Sequence, residues 1–309
     1  MLRAISSAEL AAAFVRACEL EVRAFKPGNV SVMSAGHGMT AKQFLVSAQA
    51  AAAPAAAAGL TVGGRILRAI EATRGKVGCN TNLGIVLLCA PLIHAAQSAS
   101  DERKLQRRVE RILRDLTQQD AESAYRAIRL AMPGGLGNSK RHDVWETPQV
   151  TLLAAMEEAQ DRDSIARQYA NGFADVFEFG VRRAKAVLSR RGDAEAAMLA
   201  VYLGWLARYP DSHVERKFGR VAAREVSARA AVLEAKLQSG RAPRGVQAEL
   251  NTFDAELKRD GINPGTSADL SVASLLALRL QELLQGSFTG SESKLASHRS
   301  KTKPQHVGA

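Results

Sequence analysis

Aromatic residues are scarce in this chain: Phe, Tyr and Trp together make up 5% of its 309 residues. A module that binds nucleic acid by stacking bases on aromatic platforms is poorly supported by so few rings. Cysteine is scarcer still. Cys18, Cys79 and Cys89 form no C-x-x-C pair, and an odd count without metal-ligand spacing argues for a reducing compartment and against a zinc site. Alternating apolar and polar runs are missing, as is any fixed-period repeat, so neither a Rossmann unit nor a short-repeat solenoid is expected. No apolar run reaches membrane-spanning length. Glu9 interrupts the stretch where an export signal would need apolar residues, so a cytoplasmic location is expected.

What is abundant is alanine, within a hydrophobic content of 46%, the composition of closely packed helices with room for a substantial core. Lys and Arg number 42 against 31 Asp and Glu, a net charge of +11 that favours anionic partners such as nucleotides. Lys294, Arg299, Lys301 and Lys303, set against Glu292, place +3 of that charge in the last stretch. Residues 287–309 are polar and poor in apolar side chains and are expected to form a disordered basic tail.

Helix starts are well marked. Ser6-x-x-Glu9 and Thr40-x-x-Gln43 are capping boxes, and Asp163, Asp193 and Asp211 stand where N-caps belong. Asp163 is expected to open a long helix to about Arg190. The run from Leu83 to Ile93 carries no charge and should be buried on every side, with Asn80 or Thr81 capping it. The expectation is an all-α fold, one multi-helix domain of about ten to twelve helices over residues 1–286.

Four breaks between helices share a design, a Pro/Gly turn with polar residues set against a helix end: Lys26 to Val30, Gly78 to Gly84, Tyr209 to Lys217 and Asn263 to Asp269. Together they hold asparagines, two aspartates and several cations. Asp211 and Asp269 suit Mg²⁺ bound alongside substrate phosphates, or a general base. Lys26, Arg216 and Lys217 suit phosphate oxygens. His37 and His142 lie on loops where acid–base groups can sit, whereas His94, inside the apolar run, reads as a core histidine.

Lys26-Pro27-Gly28-Asn29-Val30, Gly36-His37, Gly78 to Gly84, Asp211 to Gly219 and Asn263-Pro264-Gly265-Thr266-Ser267-Ala268-Asp269-Leu270 occur in an order that resembles the triphosphoribosyl-dephospho-CoA synthases. The resemblance covers about residues 15 to 285. It implies an all-helical transferase in which a ribose hydroxyl of dephospho-CoA attacks C1′ of ATP and adenine leaves. It further implies ATP as substrate, Mg²⁺ as cofactor, and Asp211, Asp269 and His37 as catalytic groups, the two aspartates also being metal ligands. Nucleotide contacts are expected from Lys26, Gly28, Asn29, Asn80, Thr81, Asn82, Gly84, His213, Arg216, Lys217, Asn263, Gly265, Thr266 and Ser267.

The chain also departs from the family pattern. Thr81-Asn82-Leu83-Gly84 stands where a His-Lys-Gly sequence is usual, His37-Gly38-Met39 lacks the aspartate of His-x-Asp-Met, and the loop Pro133 to Val144 replaces an Arg-Gly-Glu segment. Lys140 or Arg141 is the replacement cation that the sequence offers. These departures allow a divergent member acting on another nucleotide or phosphorylated precursor of a one-carbon carrier (tetrahydromethanopterin or methanofuran). The reading from a different class is a non-catalytic helical module binding nucleic acid or protein. The expected partners are a nucleotide and a phosphorylated small molecule, with no membrane, nucleic acid disfavoured and a homodimer allowed.

Overall fold

The computed structural model describes residues 5–286 apart from 99, 101, 103 and 240–242, with backbone alone at 243 and 244. The expected tail, 287–309, lies outside the described residues. The chain forms α1 (Ser7–Arg23), α2 (Ala41–Ala56), α3 (Val62–Val77), α4 (Leu83–Gln97), α5 (Leu105–Arg114), α6 (Gln118–Ala131) and α7 (Leu152–Ala159). After α8 (Ser164–Ala170) a π-helical segment, Val176–Val181, runs into α9 (Arg182–Arg191). The remainder is α10 (Ala194–Arg208), α11 (Ser212–Gln238), a 3₁₀ turn at Pro243–Val246, α12 (Gln247–Arg259) and α13 (Gly265–Gln285). Among the described residues there is no strand, only isolated bridges at Ser31–Ser34 and Gly36–Met39.

The marked helix starts act as caps. The Ser6 hydroxyl accepts from the Glu9 N–H (3.2 Å) while Glu9 accepts from the Ser6 N–H (3.0 Å), closing the capping box of α1. Asp193 accepts from the backbone of Glu195 and Ala196 to start α10. The long helix expected from Asp163 to Arg190 is instead interrupted. Gly172 and Phe173 both take positive φ (67° and 60°), and the Asn171 amide donates to Asp175 (2.8 Å), fixing a turn between α8 and the π segment. That turn, together with α7, raises the tally to thirteen α-helices among the described residues.

Helices α4 and α13 are buried nearly all round and form the middle of the larger core, with α1, α10 and the π segment packed on α13 and α2 and α3 on α4. A second cluster, built on Tyr202, Leu206, Leu250 and Phe253, joins α10, α11 and α12. Small residues permit the close approaches. A Cβ on Gly63 of α3 would lie 2.5 Å from the backbone of Asp120 on α6, so those helices touch at the main chain. The alanine-rich, aromatic-poor composition is the sequence side of this packing.

One buried polar knot ties α2, α3 and α4 together. Arg65 donates to the Ala55 carbonyl (2.8 Å), the Gln97 side chain (2.5 Å) and His94 Nδ1 (3.2 Å). No carboxylate is among these acceptors, and burial lowers the Arg65 pKa to about 10. Burial, and then the Arg65 charge, hold His94 below its ordinary value, so its ring stays neutral and accepts from Arg65. The unfolded chain therefore binds more protons than the folded one as pH falls, and this group's contribution is complete only above the unfolded value of about 6.5. Urea unfolding should show stability declining as pH drops from 7.5 towards 5, with a shallower decline in His94→Gln.

Candidate active site

Three of the four polar junctions meet as helix N-termini. The starts of α4, α11 and α13 converge with the loop after α1 around a cavity of about 700 Å³, within the usual range for small-molecule sites. Asn29, His37, Asn80, Thr81, Asn82, Gly84, His213, Arg216, Lys217, Asn263, Gly265, Thr266 and Asp269 all line it. Residues 29 to 269 are thus gathered from four separate stretches. The free N–H groups and dipoles of helix starts suit anions.

The tightest point of the site is between α4 and α13. A Cβ on Gly84 would sit 2.0 Å from Asp269 Oδ2, so only glycine lets the first turn of α4 lie against this carboxyl. Asp269 is partly exposed to the cavity yet densely surrounded by protein, and it has no hydrogen-bond partner among the described residues. Burial first, then the charges of Glu21, Asp211 and Asp163, raise its pKa well above the carboxylate range, with Arg216 pulling the other way. Gly265 plays a similar part for His213: a Cβ there would come within 2.9 Å of His213 Nδ1. Burial and the nearby charges of Arg216, Lys217 and His37 lower His213 to about 4, so it is neutral at pH 7.

The loop after α1 is pinned at several points. The Pro27 carbonyl accepts from the Tyr202 hydroxyl (2.6 Å), and the Gly28 N–H donates to Asp254 (2.8 Å). Gly28 (φ 79°) has no room for a side chain, because a Cβ would meet Leu257 at 2.7 Å. The Asn29 amide donates to Asn263 Oδ1 (2.8 Å), coupling this loop to the start of α13. His37 Nε2 lies 2.9 Å from the Gly28 carbonyl, which can only accept, so Nε2 carries a proton and Nδ1 is the ring nitrogen that can act as acceptor when it holds none.

Four expected site residues do not reach the cavity. Lys26 is fully buried, its ammonium spent on Glu21 Oε1 (3.0 Å) and the carbonyls of Glu21 (2.5 Å) and Ala24 (3.3 Å), so none of its three protons is left for phosphate. Asp211 is buried with both oxygens occupied. Oδ1 accepts from the N–H groups of His213 (2.9 Å) and Val214 (3.1 Å), and Oδ2 from the N–H (2.7 Å) and hydroxyl (2.8 Å) of Ser267. It caps α11 and clamps that helix to α13, which also accounts for Ser267. Gly28 serves the loop turn.

Several lining residues carried no mark in the sequence. Glu21 projects from α1 to the cavity wall, oriented by Lys26. Arg74, in the last turn of α3, lines the cavity without a side-chain partner among the described residues, as does Lys217. Arg216 pairs with Asp163 (2.6 Å). The loop after α6 lines the cavity through residues from Pro133 to Val144, including His142. Its offered cations turn elsewhere: Lys140 and Arg141 are not in the lining, and Arg141 pairs with Glu158 at 3.4 Å. Among the described residues, Arg74 and Lys217 are the cations of the site without a side-chain partner.

A family model described as ATP:dephospho-CoA triphosphoribosyl transferase matches residues 7–288. The chain belongs to this transferase family. Among solved structures, it is similar to an Archaeoglobus fulgidus protein provisionally assigned as a triphosphoribosyl-dephospho-CoA synthase, at 25% identity and a TM-score of 0.58. That likeness covers 77% of this chain and 98% of the other. No curated protein matches. Among the described residues, no helix is long and apolar enough to cross a membrane.

As a site for Mg²⁺ the transferase cavity is thin. Among the described residues no group of three or more His, Cys, Asp or Glu side chains is placed to hold a metal, and Asp211 has no free lone pair facing the cavity. A magnesium ion prefers octahedral oxygen ligation. The residues present do not build such a site, and an ion arriving with ATP would be held by triphosphate oxygens and water.

Two substitutions separate positioning from chemistry. Gly84→Ala should force α4 from Asp269 and destabilise the transferase by about 1–3 kcal/mol, seen as a lowered Tm. Asp211→Ala should cost on the order of 2–4 kcal/mol by stranding the donors of α11 and Ser267, whether or not nucleotide is present.

Proposed function

We propose that the cavity moves the triphosphoribosyl group of ATP to a hydroxyl of dephospho-CoA, with adenine as the leaving group. The observation that carries this reading is Asp269, an unpartnered carboxyl of raised pKa on a wall that also presents unpaired cations. In the transfer, the C1′–N9 bond of the nucleotide breaks and a C1′–O bond to the acceptor forms. The hydroxyl must lose a proton and the departing adenine must gain one.

Asp269, whose raised pKa favours the protonated form, is the general acid that hands its proton to adenine. The carboxylate it leaves then faces the positive charge developing on the ribose, a combination used widely in glycosyl transfer. His37 Nδ1, the open acceptor of a ring oriented by the Gly28 carbonyl, takes the proton of the attacking hydroxyl. Proton return from His37 to Asp269 through water restores the starting state. Arg74, Arg216 and Lys217 bind triphosphate oxygens. Asn29 and Asn263, bonded to each other, keep the His37 loop and the start of α13 in register.

The test is adenine release from ATP in the presence of dephospho-CoA. Asp269→Asn should lose about 10²–10⁴-fold in kcat while binding ATP within a few-fold of wild type. In wild type, kcat should fall as pH rises through the raised Asp269 value, because the acid form is lost. Full turnover by Asp269→Asn would contradict the assignment.

A further inference from the structure

Lys217 lines the cavity with no side-chain partner among the described residues, yet its side chain is closely confined. The confinement comes from the glycines of the loop after α6. A Cβ on Gly134 would lie 2.9 Å from Lys217 Cε and 3.4 Å from Nζ, and a Cβ on Gly135 would lie 3.2 Å from Lys217 Cγ. The lysine stem therefore runs along two consecutive glycines, from near its root to its charged end. Gly135 (φ 74°) also sits against Arg216, where its Cβ would come within 3.5 Å of the Arg216 carbonyl.

Both sides of this contact are anchored. On the loop, Asp143 accepts from the N–H groups of Ser139 (2.5 Å) and Trp145 (2.8 Å), while Tyr125 and Arg129 of α6 donate to the carbonyls of His142 and Val144. On the other side, Asp211 ties the start of α11 to Ser267, the Ser212 hydroxyl donates to Thr266 (3.1 Å), and Arg216 pairs with Asp163. Helix α11 leaves helical geometry at Gly219 (φ 85°, ψ 167°), so the stretch bearing Lys217 is set apart from residues 220–238. A long side chain normally loses much freedom when it grips an anion. Here a good part of that freedom is already lost in the empty cavity, which favours binding.

We propose that Gly134 and Gly135 are positioning residues that hold the Lys217 ammonium in place for the triphosphate of ATP. The inference rests on the transferase reading of the cavity and adds to it the device that aims one of its cations. Gly134 is the sharper probe of the two. Its φ is not positive, and beyond its chain neighbours the only atoms within 4 Å of its Cβ position are Cε and Nζ of Lys217. An alanine there suits the backbone and displaces only the far end of a flexible side chain.

The experiment titrates ATP and inorganic tripolyphosphate into wild type, Gly134→Ala, Lys217→Ala and the double variant by calorimetry, and reads KM for dephospho-CoA from adenine release. Lys217→Ala should weaken both anions roughly tenfold or more, the loss of a charge-assisted hydrogen bond. Gly134→Ala should weaken both by about three- to tenfold, a part of that loss, at an unchanged Tm and an unchanged KM for dephospho-CoA. In the Lys217→Ala background the same alanine should alter ATP affinity by less than about twofold, because the atoms it displaces are gone. A Gly134→Ala that loses stability, keeps its ATP affinity, raises KM for dephospho-CoA instead, or weakens ATP equally with and without Lys217 would overturn the positioning role. Absence of adenine release by wild type, with the tripolyphosphate pattern intact, would overturn the transferase reading and leave the positioning of Lys217 standing. Binding of neither anion by wild type would overturn both.

Discussion

The contact between the first turn of α4 and Asp269 of α13 is the constraint on which the site depends. Two helices that are apolar nearly all round cross in the middle of the core, and at one end of the crossing a glycine removes the side chain that would keep them apart. The carboxyl is thereby held against a helix start in surroundings that resist its ionisation. Rigid, fully buried helices make the placement accurate, and the cavity supplies the only relief for a group that has no partner of its own among the described residues. Packing and chemistry are here the same feature seen from two sides.

Around that contact, groups that look reactive divide into those consumed by structure and those left open. Asp211 has the residue type of a base or metal ligand, but four hydrogen bonds use it as a cap and clamp. Lys26 has the charge of a phosphate ligand, but its three protons orient Glu21 and close the end of α1. Asp269, Arg74 and Lys217 are the converse, groups on the cavity wall that find no side-chain partner among the described residues. An incompletely satisfied set of this kind is costly in an empty cavity and is favourable once a ligand completes it.

Much of this was legible from residue order alone. The all-helical architecture followed from capping boxes, N-cap aspartates and an alanine-rich composition, and the structure has those helices, with the first and tenth starting at the caps read from the sequence. The family resemblance on K-P-G-N and N-P-G-T-S-A-D-L agrees with the match over residues 7–288. The interruption at Gly172–Phe173 escaped because a positive φ at phenylalanine has no sequence signature; it depends on the tertiary network of Asn171 and Asp175. The roles of Asp211 and Lys26 were misjudged for a related reason. A sequence shows that a side chain can bind a ligand but not that its lone pairs or protons are already taken. Glu21 and Arg74 lie in ordinary helical stretches, and only the folded arrangement brings them to the cavity.

The central claim is that one cavity, assembled from the starts of α4, α11 and α13, receives the nucleotide. Amide hydrogen exchange of the full chain with and without saturating ATP tests it most directly. The account predicts slowed exchange in residues 80–86, 212–218 and 264–270 together, since ligand contacts at three helix starts should suppress fraying of all three. Protection confined to another face of the molecule, with these segments unchanged, would contradict it.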